Sequence, residues 1–253
     1  MASAALEWTS QDGVKYVSGL LANVGVPSIL WGEYLLNVYG IPSIIGGIDF
    51  VVPDHKMPLA VATLKSSGLH PCPDLDACTV SGDSSPFPVP AFHMHIPGSE
   101  VDVSLRLHSE TLWFIPPPNS PSSSKGEMAA KPNPHYLEAS SPELPPWRHG
   151  RGHGAFSSSG SPVLVPRGHV LLEAFIRLAS AFRDEYCGYF LNMVTYMSEY
   201  PFNDGLVDIN RLSGPCRSFW DKREQGKLTV RQLMDNLQHN LGDDMDSRRK
   251  SSK

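Results

Sequence analysis

Apolar positions recur along the chain with two periods, and the alternation between those periods lays out its elements. Val14, Val17, Leu21 and Val24 fall at helical spacing and predict a helix over 11–24, which Gly25, Val26 and Pro27 end. Residues 28–31 predict a short strand, and 33–39 a short helix stopped by Gly40. Residues 48–52 are apolar apart from Asp49, which suits a strand covered on both faces. A third helix is expected over 57–67, with Gly68 at its C-terminus. The order helix, strand, helix, strand, helix is that of a layered α/β protein.

The strongest alternation lies in 91–107. Phe92, Met94 and Ile96 share one face, and His93 and His95 the other. Val101, Val103, Leu105 and Leu107 alternate with Asp102, Ser104 and Arg106 in the same way. With Gly98 and Ser99 at the tip of a hairpin, Ile96 pairs with Val101, His95 with Asp102, and His93 with Ser104. One sheet face is therefore predicted to carry His93, His95, Asp102, Ser104 and Arg106. By this pattern it is the wet face, and His93 and His95, two apart on a strand, could together ligate a metal such as zinc.

From 116 to 162 the periodicity stops. Proline, serine and glycine dominate, as in Pro116, Pro117, Pro118 and in Gly150, Gly152 and Gly154, and a disordered linker or long loop is expected. His149, Arg151 and His153 lie in this stretch and read as solvated. Leu164, Val165, Pro166, Arg167 and Gly168 resemble a protease-sensitive sequence. Helical stripes return at 170–182 (Leu171, Leu172, Phe175, Leu178, Phe182), at 189–200 (Phe190, Met193, Val194, Met197) and at 230–241, where Thr229 is the expected N-cap. The organisation expected is a core over 1–115, a linker over 116–162, a helical region over 163–242 and a charged tail over 243–253.

Composition narrows the classes. A length of 253 residues allows one large domain or two small ones, and 41% hydrophobic content suits a globular protein. A net charge of −5 opposes binding nucleic acid by phosphate neutralisation, so nucleic acid is not an expected partner. The short basic run Arg248, Arg249, Lys250 reads as a tail. No apolar run is long enough to span a membrane, and no secretion signal is read near the N-terminus. Cys72, Cys78, Cys187 and Cys216 show no zinc-ribbon spacing, which predicts reduced thiols in a cytoplasmic protein.

Leu30-Trp31-Gly32-Glu33, followed by Gly47-Ile48-Asp49-Phe50-Val51-Val52, resembles the signature of the nucleotidyltransferase superfamily, the polymerase-β-like fold. Within it the chain is most similar to the small fungal nucleotidyltransferase-like proteins. The resemblance covers residues 10 to 115 well and the helical half loosely. In that family a glycine pair or Gly-Ser opens a helix, an Asp-x-Asp follows at a strand, and a third Asp sits on a neighbouring strand. Two divalent cations there support nucleotidyl transfer from a nucleoside triphosphate to a hydroxyl.

The resemblance implies an α/β fold, a small mixed sheet with helices on one face and a helical C-terminal region. It implies Gly32, Glu33 and Arg106 at the nucleotide, and Asp49 and Asp102 as catalytic residues and ligands of magnesium or manganese. Gly47 stands where the first Asp of Asp-x-Asp belongs, and Glu33 where a small residue belongs. Asp54, past the strand, is the nearby carboxylate that would have to replace the missing ligand, with a different geometry. Two functions are therefore expected. One is metal-dependent transfer from a nucleoside triphosphate to an unknown hydroxyl acceptor. The other is an inactive nucleotidyltransferase-like module that binds a protein partner.

Overall fold

The computed structural model describes residues 6–82, 85, 87–118 and 133–242. It is mixed α/β, with a seven-stranded mixed sheet and eight α-helices among the described residues. The chain forms two compact units. The first takes the described residues of 1–85, 89–108 and 116–166; the second takes those of 86–88, 109–115 and 167–253. The expected tail over 243–253, with its basic run, lies outside the described residues, as does 119–132 of the expected linker.

The first unit opens with α1 (Gln11–Asn23), whose N-cap Ser10 accepts a hydrogen bond from the Asp12 amide at 3.2 Å. Its stripe buries Val14, Val17 and Leu21, while Val24, at the C-cap, is exposed. Then follow β1 (Ile29–Trp31), α2 (Gly32–Val38), β2 (Gly47–Val52) and α3 (Met57–Ser66). The short edge strand β3 (His70–Pro71) precedes β4 (Phe92–His95) and β5 (Asp102–Leu107), and α4 (His108–Thr111) follows directly. The strand order is β3-β4-β5-β2-β1, continued by β7 and β6. β5 runs parallel to β2, and β4 and β1 run antiparallel to their neighbours β5 and β2.

The register of β4 on β5 is the one the alternation predicts: His95 faces Asp102 and His93 faces Ser104. Ile48, Phe50, Val52, Met94, Val103 and Leu105 form one fully buried apolar layer. The opposite face is drier than its polar residues suggest. His93 and Ser104 are buried there, because the loop carrying Cys78 lies against His93.

The stretch read as linker contributes one strand to this sheet and packs against it. β6 (Tyr136–Glu138) pairs antiparallel with β7 (Leu164–Pro166), and β7 pairs parallel with β1. Ala139, Leu144 and Phe156 are buried between those strands in sequence. The protease-like sequence is thus largely a sheet strand, with Val165 and Pro166 buried. Glycine here serves close packing, since a Cβ on Gly152 would sit 2.6 Å from the carbonyl oxygens of Asn37 and Ile41. The Gly152 and Gly154 amides donate to the carbonyls of Gly40 and Asn37, so the segment around His149, Arg151 and His153 is bonded to the end of α2.

The second unit is helical: α5 (Gly168–Ala181), α6 (Cys187–Met197), α7 (Gly214–Glu224) and α8 (Val230–Leu241). Phe182 stacks on Phe190 at 5.7 Å, joining α6 to the end of α5. α7 shows little apolar periodicity, but it buries Cys216, Phe219 and Trp220. The Thr229 hydroxyl accepts from the Gln232 amide while the Gln232 side chain accepts from the Thr229 amide, a reciprocal cap that starts α8.

Among the described residues of this unit, an ion pair is buried at Glu173 and Arg177. The Arg177 guanidinium lies 2.7 Å from Glu173 Oε1, and Glu173 Oε2 accepts the Ser213 amide at 2.9 Å, just before α7. Arg177 also donates to Ser213 Oγ and lies over the Phe114 ring at 4.8 Å. Removing one partner leaves the other charge buried and unpaired. Arg177→Ala should therefore lower unfolding free energy by about 3–5 kcal/mol in a urea titration, and Glu173→Gln combined with Arg177→Met should recover part of that loss.

Burial, followed by the charges of Arg211 and Arg167, pushes the His169 imidazole down to about 4. Below pH 6.5 the unfolded chain takes up a proton at this residue that the folded chain refuses. Stability therefore rises with pH between about 4 and 6.5 and levels off above. Melting temperatures across that window should fall with acid in the wild type and fall less in His169→Asn; equal slopes would remove His169 from the account.

Candidate functional site

Of the residues that the nucleotidyltransferase resemblance singles out, Asp49, Asp102 and Arg106 share one sheet face of the first unit, and Gly32 and Glu33 open α2 beside it. In β2 the residues Gly47, Asp49 and Val51 point to the same side, and their partners in β5 are Asp102, Ser104 and Arg106. Trp31, the last residue of β1, is the partner of Asp49 on the other flank. Asp49 and Asp102 are close enough for the charge of the first to raise the proton affinity of the second.

Each carboxylate already has a basic partner. Arg106 Nε donates to Asp49 Oδ1 at 3.1 Å, with both side chains 15% exposed. His95 Nδ1 lies 2.5 Å from Asp102 Oδ1. Burial raises the Asp102 pKa, and the neighbouring His95 offsets that only in part. Burial also lowers the pKa of His93, helped by the adjacent His95.

Gly32 turns the chain from β1 into α2 at φ +68°, a conformation that suits glycine. A Cβ there would lie 2.6 Å from Asp49 Oδ2, so glycine is needed for the carboxylate's position as well as for the turn. Glu33 does not lie open toward a ligand. Its Oε2 accepts the Gly46 amide at 2.9 Å and ties down the loop that leads into β2. Burial raises its pKa, with that amide opposing. α2 has only seven residues, and its first turn carries this carboxylate, so its dipole offers little to a triphosphate.

Gly47 has space for a side chain. A Cβ there would meet the Asp102 carbonyl oxygen at 3.4 Å and Asp49 Oδ2 at 3.7 Å. Crowding at the Cβ therefore does not account for the missing ligand. Asp54 cannot take its place. It opens the turn beyond the far end of β2, about 10 Å or more along the strand from Asp49, and its charge acts on His108.

A second group of donor atoms lies at the sheet edge. The ligand atoms of Cys72, Cys78, His93 and His95 all lie within 4.8 Å of one another. The two histidines follow from the strand alternation. The two cysteines were missed, because their spacing matches no knuckle and only the fold of 72–82 brings them over β4. The available signal was a His-x-His on a strand with two cysteines upstream. Cys187 and Cys216 lie in the helical unit, outside this group.

Compared with protein-family models, with curated proteins and with solved structures, the chain matches none.

The role of Gly32 can be separated into backbone and contact. Gly98, at the hairpin tip, also has positive φ, but a Cβ there would meet nothing within 4 Å. Gly98→Ala should therefore lose only the backbone term, about 1–2 kcal/mol. Gly32→Ala should lose more, because Asp49 must move as well, and chemical denaturation of the two variants measures the difference.

Proposed function

We propose that the first unit is a nucleotidyltransferase-like module whose acidic centre no longer transfers nucleotides and which acts by binding a partner. The observation that carries this reading is the pairing of both carboxylates: Asp49 with Arg106 and Asp102 with His95. A two-cation centre needs several free oxygen ligands converging on one space. Here two carboxylates are turned to basic side chains and the third position is Gly47.

The family likeness itself is supported by the adjacency of Asp49 and Asp102 on neighbouring strands and by the positive-φ glycine before α2. The position of Glu33 bears on activity instead. A carboxylate in the first turn of α2 repels a triphosphate, while its bond to Gly46 gives it a structural role.

Magnesium or manganese would be held, in a working enzyme of this type, by Asp49 and Asp102 with a carboxylate at position 47. Membrane attachment through a spanning helix has no support, since no helix among the described residues is long and apolar enough.

The test combines pyrophosphate release with calorimetry, using each nucleoside triphosphate with magnesium or manganese. The wild type and Asp49→Ala should both give no turnover. Gly47→Asp should bind manganese more tightly than the wild type, because it adds a carboxylate beside Asp49. Wild-type turnover that disappears in Asp49→Ala would establish the enzyme reading and remove this one.

A further inference from the structure

We propose that Cys72, Cys78, His93 and His95 form a structural zinc site that fixes the 72–82 loop to the edge of the sheet. The donor set is two thiolates and two imidazoles, the combination that suits tetrahedral zinc. The distances from Cys78 to the two histidines fit as well. Bond lengths of about 2.3 Å to sulfur and 2.0–2.1 Å to nitrogen, at tetrahedral angles, put sulfur and nitrogen about 3.6 Å apart. Cys78 Sγ lies 3.3 Å from His93 Nε2 and 3.7 Å from His95 Nε2.

The histidine orientations point the same way. His93 and His95 share a strand face, and their rings stand at 89° to each other, with centroids 5.3 Å apart. Both Nε2 atoms are turned to the same sulfur. His95 uses its other nitrogen, Nδ1, on Asp102 at 2.5 Å. A carboxylate behind a ligating imidazole fixes its tautomer and strengthens it as a ligand. Asp102 thus gains a role that the nucleotidyltransferase resemblance did not assign to it: it supports a ligand without touching the metal.

Three polar groups converge on one sulfur: Cys78 Sγ faces both ring nitrogens and also accepts the Val80 amide at 3.4 Å. The 72–82 loop is otherwise held by short turns: Asp74 Oδ1 accepts the amides of Asp76 and Ala77, and the Cys78 carbonyl accepts the amide of Gly82. Few of the side chains between them are buried, so this loop has little apolar packing to hold it. A four-ligand site is closed to substrate, and its role is to hold the chain in place.

The experiment measures metal in the full chain, purified from zinc-supplemented medium without chelator. About one zinc per chain is expected, together with release of that zinc as a mercurial titrates the thiols of the chain. After exchange with cobalt, the wild type should show thiolate-to-cobalt charge transfer and tetrahedral ligand-field bands. Cys72→Ser and His93→Ala should each lose or markedly alter the spectrum. Cys187→Ser, Cys216→Ser and Asp49→Ala should keep it. Asp102→Asn should keep the stoichiometry at saturating zinc and weaken affinity about 10–100-fold. The proposal is overturned if the chain takes up neither zinc nor cobalt, or if Cys72 and Cys78 are found joined as a disulfide in the purified chain. It is also overturned if the cobalt spectrum is indifferent to Cys72→Ser. The mercurial titration needs no variant, so misfolding of a substituted chain does not decide the result.

Discussion

The register between β2 and β5 is the constraint on which the first unit rests. Gly47 opposite Asp102, Asp49 opposite Ser104 and Val51 opposite Arg106 put every polar side chain of the two strands on one face. Ile48, Phe50, Val52, Val103 and Leu105 fill the other. A slip of β5 by one residue would send a carboxylate and a guanidinium, those of Asp102 and Arg106, into the apolar layer, where each unpaired charge is strongly unfavourable. The same register lets Arg106 reach back to Asp49, and it brings Asp102 beneath His95 through β4. The polar face is thus a by-product of a well-determined apolar one.

Electrostatically that face is a row of matched pairs. A nucleotide-transfer centre keeps its carboxylates poorly neutralised until cations arrive, and that arrangement is unstable by itself. Here Asp49 is paired with a guanidinium and Asp102 with an imidazole of the protein itself. If zinc occupies the neighbouring Cys and His group, Asp102 balances an imidazole bound to it. The two features then share a residue and the same strand pairs, but they make different demands: one needs Asp49 to be neutralised, the other needs Asp102 to be oriented.

The parts of the fold legible in the sequence were those set by local period and local chemistry. The hairpin register followed from alternation on both sides of Gly98 and Ser99. The Thr229 N-cap followed from a cap residue placed before an apolar stripe, while the reciprocal bond from Gln232 came only with the structure. Long-range partners were not legible. β6 and β7 are three residues each, too short for a period to show, and their neighbours are prolines, serines and glycines that read as loop. α7 buries two aromatics and a cysteine amid charged residues, which gives no stripe. In the site, His93, His95, Asp49 and Asp102 were marked by their strands. Cys72 and Cys78 were not, because nothing local says that the loop carrying them folds over β4.

The place of β7 has a consequence for how the chain is made. β1 is an inner strand of the finished sheet, flanked by β2 and β7, yet Leu164 comes far later in the sequence than its partner Ile29. While the chain is being synthesised, β1 can pair with β2 as soon as both have emerged, and its other edge then stays open. An open, apolar strand edge is a template for pairing with another chain. Closing it requires a loop of more than half the protein, and such distant pairings form slowly. The nascent protein is therefore most prone to self-association over the interval between the emergence of Trp31 and that of Pro166.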